Sequence, residues 1–315
     1  MVDLSEIQAA RERVRLHVRR TPLVRAVGLR DAPAGNLSLK LESLQVTGSF
    51  KARGATNKVL SLSPGQVGNG LVTASGGNHG LGVAYAGWLA KVPATIFLPS
   101  NVPQAKIARF ETWGAEVVRE GSVWDEADQA AREVAEREGL TYVHAFSDPA
   151  VVAGQGTIGL EILEDAPETD VVVVAIGGGG LISGVASAVK ALAPGVRVIG
   201  VEPVGAPTLY ESVRAGAVVE LERITTAANT LAPRKSAEMN LRIIQETVEE
   251  IVLVTDEEMR EAARWLWLEL GIAAELSGAA AVAAWLSGKV RVGEGESVCG
   301  LVCGSGSDGW SEGVG

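Results

Sequence analysis

Asp170-Val171-Val172-Val173-Val174-Ala175-Ile176, followed at once by Gly177-Gly178-Gly179-Gly180 and a small-residue stretch reaching Leu192, decides the fold of this 315-residue chain. The apolar, β-branched run bounded by glycine reads as a strand buried inside a sheet, and the stretch behind the glycines reads as a helix. Val196 to Val201 is the next strand. Upstream the same order recurs. Leu71-Val72-Thr73 leads through Ser75-Gly76-Gly77-Asn78-His79-Gly80 into a helix to Ala90, then come a strand at Ala94–Leu98, a helix near Gln104–Thr112 and a strand at Glu116–Val118. Strands alternating with helices predict an α/β fold of mostly parallel sheets covered by helices, with ligands at the carboxyl ends of the strands. No low-complexity linker or fixed-period repeat separates the two glycine junctions, so two domains would be interwoven rather than strung in line.

Composition bounds the function. Glycine, at 38 residues, makes up about 12% of the chain against a usual ~7%, and its densest clusters are the two junctions. Apolar residues at 47% and charged residues at 21% describe a folded globular chain. A net charge of -10, scattered Lys and Arg, and aromatics at 4% argue against a nucleic-acid partner. Charged residues or glycine interrupt every apolar run well before the ~18 residues of a membrane span. Met1 to Arg20 lacks the apolar core of a secretory signal, so a cytoplasmic location is expected. Cys299 and Cys303, four apart in a predicted strand, would lie ~13 Å apart, too far for a disulfide. His17, His79 and His144 have no metal-ligand spacing. The glycine- and serine-rich end, Ser305 to Gly315, is expected to fray.

Four glycines between a buried strand and a helix make a backbone nest. Their N–H groups can converge, and the helix N-terminus adds partial positive charge, so a phosphate fits there. A tight turn with close helix packing is the plainer reading, for which one glycine would do. Glu202 ends the next strand about where a dinucleotide-binding fold keeps its ribose acid, but the Gly-x-Gly-x-x-Gly spacing fails: the sixth residue is Ile182 from Gly177 and Ser183 from Gly178. Gly288-Lys289 has neither the glycine nor the hydroxyl residue of a P-loop. Gly309-Trp310-Ser311-Glu312-Gly313 matches a nucleophile elbow formally, yet no acid and histidine follow it. In Thr47-Gly48-Ser49-Phe50-Lys51, a lysine just inside a helix start sits where the dipole favours anions and an uncharged amine, as a Schiff-base lysine requires. On that ground alone Lys51 does not outrank Lys58.

Taken together, Thr47–Lys51, Ser75–Gly80, Ala153-Gly154-Gln155-Gly156-Thr157, Gly177–Leu181, Gly200-Val201-Glu202-Pro203 and Cys303-Gly304 resemble, in order and spacing, the fold-type II pyridoxal-phosphate enzymes, in particular the threonine/serine dehydratase and serine racemase group. The likeness spans nearly the whole chain. It implies a tryptophan synthase β-like fold with a large cofactor-binding domain, residues 1–68 and 147–315, around a small domain, residues 69–146, and a homodimer. It implies Lys51 as the Schiff-base lysine and acid/base at the substrate Cα, with Phe50 beside the ring. Gly177, Gly178, Gly179, Gly180 and Leu181 would hold the 5′-phosphate. Asn78 would donate to the ring hydroxyl, Glu275 would lie near the pyridine ring, and Cys303 would contact its nitrogen. Ser75, Gly76, Gly77, Asn78 and His79 would form the loop that grips the carboxylate of a small amino-acid substrate.

Three departures refine what the resemblance implies. Many relatives have serine where Cys303 stands, and a neutral thiol is a weak donor that leaves the pyridine nitrogen unprotonated, which suits β-elimination. Racemases of the group place a serine acid/base where this chain has Gly76. Metal-using relatives bind a cation through a glutamate, a carbonyl and an aspartate. Glu202, Ala206 and Thr208 stand there, and losing a carboxylate weakens a divalent site, so a monovalent cation or none is equally open. The catalytic pattern ends near residue 308, so no C-terminal regulatory domain is expected. The resulting expectation is an ammonia-lyase (dehydratase) converting L-threonine or L-serine to 2-oxobutanoate or pyruvate plus ammonia. A serine or aspartate racemase, a 3-hydroxyaspartate ammonia-lyase, a dinucleotide-binding oxidoreductase and a non-catalytic ligand-binding descendant remain the alternatives.

Overall fold

The computed structural model describes residues 2–29, 33–102 and 104–307. Both the nucleophile-elbow match at 309–313 and residues 308–315 of the expected frayed end lie outside the described residues. Ten strands are β1 (Leu23–Arg25), β2 (Asn36–Lys40), β3 (Leu71–Ala74), β4 (Ala94–Leu98), β5 (Glu116–Arg119), β6 (Thr141–Tyr142), β7 (Val171–Ala175), β8 (Arg197–Pro203), β9 (Glu250–Val254) and β10 (Ser297–Leu301), among the described residues. The helices there are α1 (Leu4–Val14), α2 (Lys51–Ser61), α3 (Pro64–Val67), α4 (Asn78–Ala90), α5 (Gln104–Glu111), α6 (Trp124–Glu138), α7 (Pro149–Asp165), α8 (Gly180–Leu192), α9 (Thr208–Ala215), α10 (Glu238–Thr247), α11 (Asp256–Leu270) and α12 (Leu276–Leu286).

The strands form two sheets. One has the order β1-β2-β10-β7-β8-β9 and is parallel except for the antiparallel β1–β2 pair; the other, β5-β4-β3-β6, is parallel throughout. The predicted strand over 170–176 is β7, in the middle of the larger sheet, and Val171, Val172, Val173 and Val174 are all fully buried there. Burying side chains of this size stabilises by roughly 1.5–3 kcal/mol each, which is why an unbroken valine run needs helices on both faces.

The smaller sheet lies within residues 71–142, yet its core also takes Ala55 and Val59 from α2 and Val151 from α7. Glycine lets these two helices approach each other and α4. A Cβ on Gly154 of α7 would come within 2.7 Å of the Gly54 Cα on α2, and one on Gly82 of α4 within 3.0 Å of the Lys51 carbonyl. Part of the glycine excess therefore serves helix crossings rather than the junctions. Cys299 is in β10, but the strand ends at Leu301, so Cys303 lies beyond it; both are buried free thiols. Among the described residues no helix is long and apolar enough to cross a membrane.

Candidate active site

The chain reverses just ahead of α2 because Thr47 and Gly48 both adopt left-handed backbone conformations, φ 67° and 85°. For threonine that conformation is strained, and such strain collects at functional loops. Lys51 then opens α2. Its Nζ donates to the Ala145 carbonyl at 2.7 Å and lies 5.2 Å from the centre of the Phe50 ring. Burial lowers the ammonium to about 8, against the opposing pull of the nearby Glu275 carboxylate. The two lysines of this helix are now distinguished: Lys58 is ion-paired with Asp148 at 2.6 Å.

Opposite Lys51, Glu275 occupies the N-cap position of α12 without capping it. Its carboxylate accepts instead from Asn78 Nδ2 at 2.8 Å and from Thr230 Oγ1 at 3.3 Å. Thr230 also bonds Ser277, whose carbonyl accepts from the Cys303 thiol at 3.4 Å. Burial pushes that thiol well above its ordinary value, so Cys303 is a neutral group. Lys51, Phe50, Asn78, Glu275 and Cys303 are thus brought to one place, with Thr230 among them. Thr230 belongs to none of the motifs that mark the site in the sequence, and only its bonds to Glu275 and Ser277 place it there.

Besides α2 and α12, two helices with glycine at the N-cap begin at this place. The N-cap of α4 is Gly77 and that of α8 is Gly179, neither helix having a side-chain cap. First-turn N–H groups left without side-chain partners, together with the helix dipole, favour an anion at each. In the run Gly177–Gly180 one glycine would not have sufficed. A Cβ would meet the Thr230 carbonyl at 2.9 Å from Gly177, the Phe146 ring at 2.2 Å from Gly178 and the Phe146 backbone at 2.8 Å from Gly180, while Gly179 has φ 89°. Packing around Phe146 therefore explains much of the run, and the uncapped N-terminus of α8 carries the anion-binding reading.

The substrate-loop residues divide. Ser75, Gly76 and Gly77 precede α4, and the Ser75 hydroxyl accepts weakly from the Gly77 N–H at 3.4 Å. A Cβ on Gly76 would meet only Val102 and Leu98, at 3.6 and 3.7 Å, which is ordinary contact. The His79 side chain does not join this loop: it is buried, with Nε2 2.9 Å from the Val143 carbonyl, and burial lowers it to about 3. Glu202 is also elsewhere. It is fully buried, and its two oxygens accept the N–H groups of Leu209 and Tyr210 at the start of α9, at 2.9 and 2.7 Å. Ala206 is buried nearby, and Thr208 donates to the Pro233 carbonyl at 2.7 Å.

The family model described as pyridoxal-phosphate dependent enzyme matches residues 14–304. The chain belongs to that family. An L-threonine ammonia-lyase of Thermotoga maritima is 43% identical over 287 residues, 91% of this chain and 72% of that protein. An L-threonine dehydratase of Staphylococcus aureus is 39% identical over 311 residues, 98% of this chain and 90% of the relative. Among solved structures, maize serine racemase superimposes with a TM-score of 0.93 at 32% identity, covering 96% of this chain and 93% of the racemase. The expected fold-type II, tryptophan synthase β-like architecture is thereby established. The site suits the family's cofactor: a desolvated amine for its aldehyde, a polar group pair at Asn78 and Glu275 for its ring, and an uncapped helix among glycines for its phosphate.

Proposed function

We propose that the protein is a pyridoxal-phosphate-dependent ammonia-lyase that converts L-threonine or L-serine, by β-elimination, to 2-oxobutanoate or pyruvate plus ammonia. The observation that carries this reading is the Lys51 amine, lowered to about 8 by burial and gathered into one site with Asn78, Glu275 and the uncapped N-termini of α4 and α8. An amine of that basicity has an appreciable neutral fraction near neutral pH and is matched to taking and returning a proton. When bound, the cofactor supplies the electron sink for the charge left at Cα.

In this reading Lys51 would hold the cofactor through its amine, and that amine would take and return the proton at the substrate Cα. Gly177 to Leu181 would hold the phosphate, Phe50 would flank the ring, and Asn78 would donate to the ring hydroxyl. Cys303, as a neutral thiol and weak donor, would contact the ring nitrogen and leave it unprotonated. Ser75, Gly76, Gly77 and the backbone at Asn78 and His79 take the substrate carboxylate at the start of α4; the His79 imidazole supports the loop from beneath. We assign residues 69–146 to a small domain closing over substrate on residues 1–68 and 147–315, supported by the confinement of one sheet to 71–142. A cytoplasmic homodimer completes the proposal.

The test measures keto-acid release from threonine, serine and 3-hydroxyaspartate, with the visible spectrum before and after borohydride. Release from threonine or serine is expected; release from none would refute the lyase. An absorption band that borohydride bleaches is expected in the wild type and not in Lys51→Ala; its survival in that variant would refute Lys51. The racemase likeness supports a second reading, but Gly76 offers no acid on the second face of Cα. Gly76→Ser fits the space and is expected to gain Cα epimerisation, read as D-serine formed from L-serine.

A further inference from the structure

Besides Thr230, the segment 225–240 brings two side chains to the glycine run. Asn240 is fully buried on α10, and its amide nitrogen donates one hydrogen to the Gly178 carbonyl at 2.7 Å and the other to the Phe146 carbonyl at 3.1 Å. Ser236, also buried, donates its hydroxyl to the same Gly178 carbonyl at 3.0 Å. Both lone pairs of one peptide oxygen are therefore engaged by α10 and the residues leading into it. There are no cis peptides among the described residues, and in a trans peptide the carbonyl and the N–H point in opposite directions. Holding the Gly178 carbonyl toward α10 turns the Gly179 N–H away from α10. Gly179 is the N-cap of α8, with left-handed backbone, and it lies flush on Asn240, where a Cβ would come within 3.1 Å of the Asn240 Cβ.

The second acceptor extends the clamp. Phe146 packs its ring and backbone against Gly178 and Gly180, and the carbonyl of its neighbour Ala145 takes the Lys51 amine. One amide group thus ties the glycine run to the connection out of the smaller sheet, next to the acceptor of Lys51. Nothing local favours the Gly178–Gly179 peptide plane over its flipped alternative, because glycine tolerates both signs of φ. A buried double donor does favour it, since flipping would strand the donors unpaired.

We propose that Asn240, seconded by Ser236, is a positioning residue for the anion nest: it fixes the Gly178–Gly179 peptide so that the Gly179 N–H serves the cofactor phosphate. The inference rests on the assignment of that nest to the phosphate, and the experiment separates the two. Cofactor-free wild type, Asn240→Ala and Ser236→Ala are titrated with pyridoxal 5′-phosphate and, in parallel, with pyridoxal, which lacks the phosphate, following the absorbance of each complex. Wild type is expected to bind the phosphate ester much more tightly. Asn240→Ala is expected to weaken the ester roughly tenfold, the scale of one misplaced buried hydrogen bond, with pyridoxal affinity within about twofold of wild type. Ser236→Ala is expected to show a smaller loss of the same kind, and it decides the matter if Asn240→Ala fails to fold. Equal losses for both ligands would mean a merely structural role and overturn the inference. Unchanged ester affinity in folded variants would overturn it as well. Wild type that binds pyridoxal as tightly as its phosphate ester would overturn the nest assignment itself.

Discussion

Lys51 and Arg53 stand two residues apart on α2, the first partly and the second fully buried, and their surroundings are opposite. Arg53 is fully buried among carboxylates: its guanidinium meets Glu42 through Nε at 2.9 Å and Nη2 at 2.8 Å, and Glu161 through Nη1 at 2.7 Å and Nη2 at 2.9 Å. Buried Lys40 extends the cluster, donating to the Thr21 carbonyl and pairing with Glu161, both at 2.7 Å. Lys51 has one carbonyl and a neighbouring carboxylate that only partly offsets its burial. A planar fork saturated by carboxylates stays charged and fixes geometry, while a lone ammonium in the same helix gives up its proton readily. The pair divides the labour of α2: one cation anchors the helix to the turn at Glu42 and to α7, and the other is left reactive at its end.

Replacing each cation by methionine gives the largest contrast. Arg53→Met leaves Glu42 with the Thr21 hydroxyl and Glu161 with Lys40, and breaking a buried pair from one side costs about 3–5 kcal/mol. Urea unfolding of cofactor-free protein is expected to show that loss for Arg53→Met and none for Lys51→Met, where an underpaired buried charge is removed. Equal losses would erase the distinction.

The next effect is a pH dependence confined to one member of the pair. The folded-state value of Lys51, about 8, lies below its ordinary 10.5. Between these values the unfolded chain binds a proton that the folded chain does not, so stability rises with pH across that window. The burdened charge is fully felt below pH 8 and relieved by pH 10.5, a difference of roughly 3 kcal/mol at ~1.4 kcal/mol per unit. The stability advantage of Lys51→Met over wild type should therefore be greatest at pH 7 and fade above pH 10. An advantage independent of pH would show that the amine is not desolvated in the cofactor-free protein.

Of this pair only Lys51 was legible in the sequence, and the reason is where the partners lie. The strand at 170–176, the glycine junctions and the helices behind them follow from local periodicity, and all three appear within a residue or two of their predicted ends. Lys51 was reached through its motif. The carboxylates of Arg53 lie 11 and 108 residues away along the chain, and the Asn240 bond to Gly178 spans 62. Pairings of that separation leave no local pattern. Side-chain direction was likewise invisible: His79 stands beside Asn78 in the motif, yet the helical turn sends one side chain to Glu275 and the other toward Val143. Glu202 looked like a cation ligand by position, and only the fold reveals α9 starting on its carboxylate.

The finest distinction between the two cations is the single carboxylate each can lose. Glu275, together with the Cys303 sulfur, holds Lys51 up against burial, so Glu275→Gln should move the amine further below 8, not above it. The stabilising rise with pH would then begin at a lower pH in this variant than in wild type, its upper end staying at 10.5 because the unfolded chain sets that limit. Lysine side-chain NMR of cofactor-free protein, titrated from pH 6 to 11, reads the shift directly. Glu42→Gln provides the opposite control. It removes one of two carboxylates from a guanidinium that remains protonated at every pH the protein survives, so it should lower stability without introducing a new titration. An upward shift of Lys51 in Glu275→Gln would mean that loss of the carboxylate opens the amine to water, and the contrast between the two cations of α2 would then be one of access rather than of charge.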